Sequence, residues 1–136
     1  MSGIRGRDTA IENLVRSSLH RRGFRFRKDV RSLPGRPDIV LRKHRAAILV
    51  HGCFWHGHNC HLFKWPSSNA KFWSDKINGN SARDGRNLKL LGTQGWRTMT
   101  VWECALRGKD EEQLHRLMDK LERWLHSSRK SGELRG

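Results

Sequence analysis

The sequence predicts a single α/β domain, a mixed central sheet flanked by helices. Three observations carry that expectation. Short apolar runs that read as strands alternate with amphipathic helical segments in the order α-β-β-β-α-β-α, which is the pattern of helices packed on a sheet. The 136 residues suffice for one hydrophobic core without help from disulfides. The most apolar strand run, Ala46-Ala-Ile-Leu-Val50, leads directly into His51-Gly-Cys-Phe-Trp-His-Gly-His-Asn-Cys60, a cluster of metal-type ligands and aromatics placed where a sheet edge would display it.

The elements follow in order. Thr9-Ala-Ile-Glu12 has the form of a capping box and opens a helix to about Arg22, with Ile11, Leu14, Val15 and Leu19 on one face and Gly23 as its stop. Phe24-Arg-Phe-Arg27 alternates as a half-buried strand does, and Ser32 to Pro37 is a turn by its Pro and Gly content. Asp38 to Leu41 is a short strand, Arg42 to Arg45 a basic hairpin loop, and Ala46 to Val50 the next strand. Leu62 to Asn69 is irregular. A helical segment is expected from Lys71 to Leu91, loosened at Asn78-Gly-Asn80.

Gly92 to Gly95 is a turn, and Trp96 to Trp102 is β-rich. The last helix, about Asp110 to Leu125, carries Leu114, Leu117, Met118, Leu121, Trp124 and Leu125 as one stripe. The folded domain is read as residues 1–126, and 127–136 as a disordered basic tail. Trp65, Trp96, Trp102 and Trp124 are read as packing residues.

Charge narrows the partner. Lys and Arg number 28 against 13 Asp and Glu, a formal charge of +15, with a pI near 11.2. Such an excess is the footprint of a polyanion-binding protein, nucleic acid first among them. No stretch approaches the roughly 20 apolar residues of a membrane span, and the N-terminus lacks the apolar segment of a signal peptide. The three cysteines are an odd number interleaved with histidines, which favours a reducing cytoplasm and metal ligation over disulfides.

Cys53, His58, Cys60 and Cys104 would together make a tetrahedral Cys3His set. Zinc prefers such a shell, and four protein ligands make a closed, structural site. His56 and His61 rival His58 as the nitrogen ligand. Asp38 opens a strand whose neighbour ends at Val50-His51, the layout of a metal-dependent nuclease, in which a carboxylate holds Mg2+ with waters and substrate phosphate. Glu12, His51 and His56 are its candidate companions, the histidines as proton carriers. Read alone, Pro37-Asp38 is a turn signal and Glu12 a capping residue.

Leu33-Pro-Gly-Arg-Pro-Asp38, His51-Gly-Cys-Phe-Trp-His56, Cys60, Phe72-Trp73, Arg83-Asp84 and Val101-Trp-Glu-Cys-Ala-Leu-Arg107 together resemble the very short patch repair endonucleases, in order from about Arg7 to Trp124. The resemblance implies a fold similar to type II restriction endonucleases and a nick beside the T of a T·G mismatch left by deamination of 5-methylcytosine. It implies Asp38 as the Mg2+ carboxylate. His51 and His56 would act in proton transfer and in positioning water or phosphate, supported by Glu12. Cys53, His58, Cys60 and Cys104 would hold zinc, and Phe54, Trp55 and Trp73 would wedge into the duplex.

Contacts with mismatch-repair proteins and a monomeric enzyme are further expectations. Val50 stands where the family usually has Thr; a role for this position in holding the metal would then run through its main-chain carbonyl. Little precedes Arg7, where relatives carry a longer DNA-contacting arm. Two rivals are a site-specific or homing-type nuclease cutting matched DNA, and a non-catalytic zinc-dependent DNA-binding module.

Overall fold

The structure, a computed structural model, describes residues 9–136. Residues 1–8 and the side chain of Thr9 lie outside the described residues, and with them the capping reading of Thr9 and the N-terminal arm. Helix α1 spans Thr9–Arg21, β1 Arg27–Lys28, β2 Ile39–Leu41, β3 Ala46–His51, α2 Ala70–Thr93, β4 Arg97–Trp102, α3 Glu111–Leu125 and β5 Ser131–Leu134, with single 3-10 turns at Arg42–His44 and Glu103–Ala105. The five strands form one sheet in sequence order. The β1–β2 and β2–β3 pairs are antiparallel, whereas β3–β4 and β4–β5 are parallel. The expected mixed α/β architecture is present.

Side-chain alternation along β3 divides the core between the two faces of the sheet. Ala46, Ile48 and Val50 pack with Val15 and Leu19 of α1 and with Met118, Leu121 and Leu125 of α3. Ala47 and Leu49 pack on the opposite side with Leu91 and the partly buried Leu88 of α2. A parallel pair needs a crossover of a dozen or more residues, and α2 supplies it between β3 and β4.

The structure corrects four local expectations. The strand read from Phe24 is reduced to Arg27–Lys28, because the Phe24 amide bonds back to the Leu19 carbonyl at 3.0 Å and closes the end of α1 around Gly23 (φ +88°). Helix α2 runs unbroken through Asn78-Gly-Asn80. Gly79 costs about 1 kcal/mol of helix propensity, offset by tertiary anchors: Ile77 is fully buried, and Asn80 and Ser81 donate to the carbonyls of Trp55 and His56 at 2.9 and 2.8 Å.

The supposed disordered tail contains β5, so the ordered domain runs past residue 126. Its approach is fixed by Arg97, whose guanidinium donates to the carbonyls of His44, Trp124, Leu125 and Arg129 and lies 4.3 Å from the centre of the Trp124 ring. Finally, Trp65 is not a packing residue: it is 51% exposed.

Candidate active site and metal centre

The carboxyl ends of the parallel strands β3 and β4 are where this sheet offers a site, as open α/β sheets commonly do. Strand β3 ends in His51 and β4 in Trp102, paired in register. Because β2 is antiparallel to β3, the residue entering β2, Asp38, arrives at the same end.

Asp38 is buried, and its Oδ2 accepts the Val50 amide at 2.7 Å. The strand pairing thus fixes the carboxylate beside the last turn of chain before His51. Carboxylate oxygens of Glu12 and Asp29 lie within 4.8 Å of those of Asp38 and of each other. Arg16 is threaded among them, 3.2 Å from Asp29, 3.6 Å from Glu12 and bonded to the Asp38 carbonyl at 3.1 Å. Glu12 is only 3% exposed, so α1 delivers a buried acid to the site as well as an apolar face to the core. The oxygen donors suit a hard cation such as Mg2+, which one or two carboxylates plus substrate phosphate commonly hold. The Val50 side chain packs in the core and offers no oxygen; only its main chain can serve a cation.

A cleft of about 190 Å³ joins these groups, with Glu12, Asp38, Val50, His51, His56 and Asp84 among its lining. His51 and His56 stack face to face, ring centroids 3.9 Å apart and planes 7° from parallel. Burial, with His56 adding to it, pushes the His51 pKa down to about 3, so its imidazole is neutral at physiological pH. His51 Nδ1 is buried without a hydrogen-bond partner among the described residues. The Nδ1 of His56 bonds instead to the Asp84 carboxylate of α2 at 2.5 Å, which fixes the ring and leaves Nε2 as the nitrogen able to exchange a proton. A carboxylate-oriented imidazole of this kind is suited to acid–base chemistry.

Sequence reasoning placed Asp84 in a motif but gave it no role, and it passed over Asp29. A signal for Asp84 existed: Ile77, Asn80, Ser81, Asp84, Leu88 and Leu91 repeat at helical spacing, and a carboxylate on an otherwise inward stripe of α2 calls for a partner.

The soft ligands form a second cluster. Donor atoms of Cys53, His58, Cys60 and Cys104 all lie within 4.8 Å of one another. His58 Nδ1 is 3.5 Å from both Cys53 Sγ and Cys104 Sγ. That spacing matches the edge of a zinc tetrahedron, about 3.6 Å for Zn–S near 2.3 Å and Zn–N near 2.0 Å. The four residues therefore fit zinc. Of the rivals to His58, His56 is engaged by Asp84 and His61 is exposed.

Burial and neighbouring thiols push the Cys53 thiol well above its ordinary pKa; a bound cation would reverse that, since metal-ligating thiols are deprotonated. Glu103 accepts the Cys53 amide at 3.1 Å and is paired with Arg107. The His56–His58 turn depends on Gly57 (φ +62°), where a Cβ would meet Ile77 Cγ2 at 2.7 Å.

Phe54, Trp55 and Trp73 form a triangle beside the cleft, with ring centroids 5.4 to 5.8 Å apart, and all three are half-buried. The structure thus brings together two stacked histidines, a carboxylate set, a Cys3His set able to hold a metal and an aromatic triangle.

Comparison with known proteins assigns the chemistry. The chain is 47% identical over 125 residues to the DNA mismatch endonuclease Vsr of Escherichia coli, covering 92% of this chain and 80% of that protein. It is 45% identical to the type II nicking enzyme V.XorIIP of Xanthomonas oryzae, over 88% of this chain and 89% of that one. It is 42% identical to the nicking enzyme V.NmeAIP of Neisseria meningitidis, over 87% and 86%. The chain is a DNA endonuclease. The model of the family described as DNA mismatch endonuclease Vsr matches residues 1–62, and with the full-length similarity the chain belongs to that family.

Proposed function

We propose that this endonuclease nicks one strand of duplex DNA beside the T of a T·G mispair arising from 5-methylcytosine deamination, using Mg2+ for catalysis and zinc for structure. The observation that carries the reading is the convergence of Asp38, His51 and the His56–Asp84 pair in one cleft next to three aromatic rings. The printed name of the Escherichia coli relative, a DNA mismatch endonuclease, supports the mismatch as the target.

Asp38 and the Val50 carbonyl would hold Mg2+, with Glu12 in support; when bound, the cation neutralises charge on the phosphate under attack. His51, held neutral, is a weak base and suits the positioning of water or phosphate. His56, its ring oriented by Asp84 through Nδ1, presents Nε2 for proton transfer. Phe54, Trp55 and Trp73 would enter the duplex at the mispair, where unstacking costs least. Cys53, His58, Cys60 and Cys104 would hold zinc and so fix the loop carrying His56. The kinship of the sheet with restriction endonucleases, a monomeric cytoplasmic enzyme and contacts with mismatch-repair proteins belong to the same reading.

The test is a nicking assay on a labelled duplex with one T·G pair, beside the matched duplex, with Mg2+ or EDTA, for wild type and Asp38→Ala. A single nick next to the T that needs both metal and Asp38 is expected. Equal cleavage of both duplexes would retain the nuclease and reject the mismatch.

A further inference from the structure

The exposed aromatic surface is larger than the triangle beside the cleft. Phe63 tilts on Phe54 with centroids 6.0 Å apart, and Trp65 stands edge-on to Phe63 at 4.9 Å. On the other side Phe72 meets Trp73 edge-on at 5.2 Å. Trp65 and Phe72, 51% and 59% exposed, are two of the three large hydrophobic side chains that stand out into solvent among the described residues. Each follows an exposed lysine in sequence, as Lys64-Trp65 and Lys71-Phe72. An indole left half in water, held in place by a neighbouring ring and flanked by a cation, is poorly explained by folding: it contributes little burial and adds an apolar patch to the surface. Aromatic faces interleaved with cations are what nucleic acid binds, the rings stacking on bases or sugars and the lysines meeting phosphates.

We propose that Trp65 is a DNA-contacting residue, which with Phe72 extends the aromatic surface beyond Phe54, Trp55 and Trp73 onto the duplex flanking the cleavage site. The occupant is DNA, on grounds of the +15 charge, the adjacent lysines and ring-to-ring continuity with the cleft. The proposal rests on the reading of the triangle as the part of the enzyme that enters the duplex. Two ring contacts separate Trp65 from Phe54, which places it no more than about three base steps away at roughly 3.4 Å per step. It therefore acts on the flank and not at the mispair. Its contribution is to affinity and to holding the bent or opened duplex in place, and it is shared by any base sequence, because every base offers a π-face.

The experiment is binding and nicking by wild type, Trp65→Ala, Trp65→Phe and Lys64→Ala, each on T·G and matched duplexes across a salt series. Trp65→Ala should weaken binding by about 5- to 160-fold, the range for loss of one stacked base, with the salt slope unchanged. Trp65→Phe should recover most of the loss, and Lys64→Ala should lower the slope by about 0.9. The substitution is at the surface, so an unchanged melting temperature will exclude misfolding. Wild-type affinity and nicking in Trp65→Ala would overturn the inference while leaving the mismatch reading untouched. Loss of affinity for both duplexes, with wild type nicking them equally, would uphold it and reject the mismatch reading instead.

Discussion

The indole of Trp102 lies flat on the imidazole of His58, ring centroids 3.9 Å apart and planes 6° from parallel. The same indole stands edge-on to His51 at 5.3 Å and donates through Nε1 to Glu133 at 2.5 Å. One ring thus connects a ligand of the soft-metal cluster to a histidine of the cleft. Disorder at the Cys3His set has a short mechanical route to the histidines of the cleft.

Zinc removal should therefore cost activity as well as stability. The protein is expected to carry one zinc per chain by elemental analysis, and Cys104→Ser should lose it. Nicking by that variant at saturating Mg2+ is expected to fall at least 10-fold, the lower range for a displaced supporting group around a site, and its melting temperature should fall too. Full activity in a zinc-free variant would show that the cluster and the cleft are independent.

Asp84 fixes the orientation and tautomer of His56. Replacing it by Asn retains the size but removes the charge that stabilises the imidazolium, so single-turnover nicking should slow by about 10²- to 10⁴-fold. Binding of the duplex should change little. A parallel loss of affinity would mean that Asp84 holds the loop and not the proton carrier.

His51 makes stability depend on acid. Its folded pKa of about 3 lies below the ordinary histidine value of 6.5, so between those values the unfolded chain binds the extra proton. Stability is then complete above about pH 6.5 and declines as pH falls toward 3, by an amount on the order of a few kcal/mol for this residue. A cation bound beside His51 would act in the same direction. Urea denaturation from pH 7 to 4 should show a shallower decline for His51→Gln than for wild type.

The ordering of β5 is tested at Gly132, where an added Cβ would meet Met99 Cε at 2.6 Å and Trp124 Nε1 at 3.0 Å. Gly132→Val should overpack this seam and destabilise the fold by about 1–3 kcal/mol, read as a lowered melting temperature. Were residues 131–134 a loose tail, the same substitution would leave stability unaltered.

The local alphabet of the fold was legible in the sequence because it rests on periodicity. The stripe of α3, its Asp110–Gln113 capping box, the buried run of β3 and the Gly23 stop are all short-range patterns that water and backbone geometry impose within a turn or two. The soft-metal set was legible too, since Cys and His are few and their chemistry narrow. Expectation failed where distant groups decided. Phe24 spent its amide on a helix end, Gly79 was carried by anchors from another loop, and β5 was ordered by pairing with β4, the segment before it held by Arg97 through four carbonyls.

The sequence by itself determined an α/β domain, a polyanion partner, the candidate ligand residues and, through its motifs, a family. Tertiary structure alone decided which histidine joins the thiols, that Asp84 from the middle of α2 orients His56, that Glu12 and Asp29 gather around Asp38, and that Trp65 stands in solvent. The deciding contacts among these span the chain, as His56–Asp84 does over 28 positions and His58–Cys104 over 46. Such separations are set by how helices and strands dock, and no period in the chain encodes them.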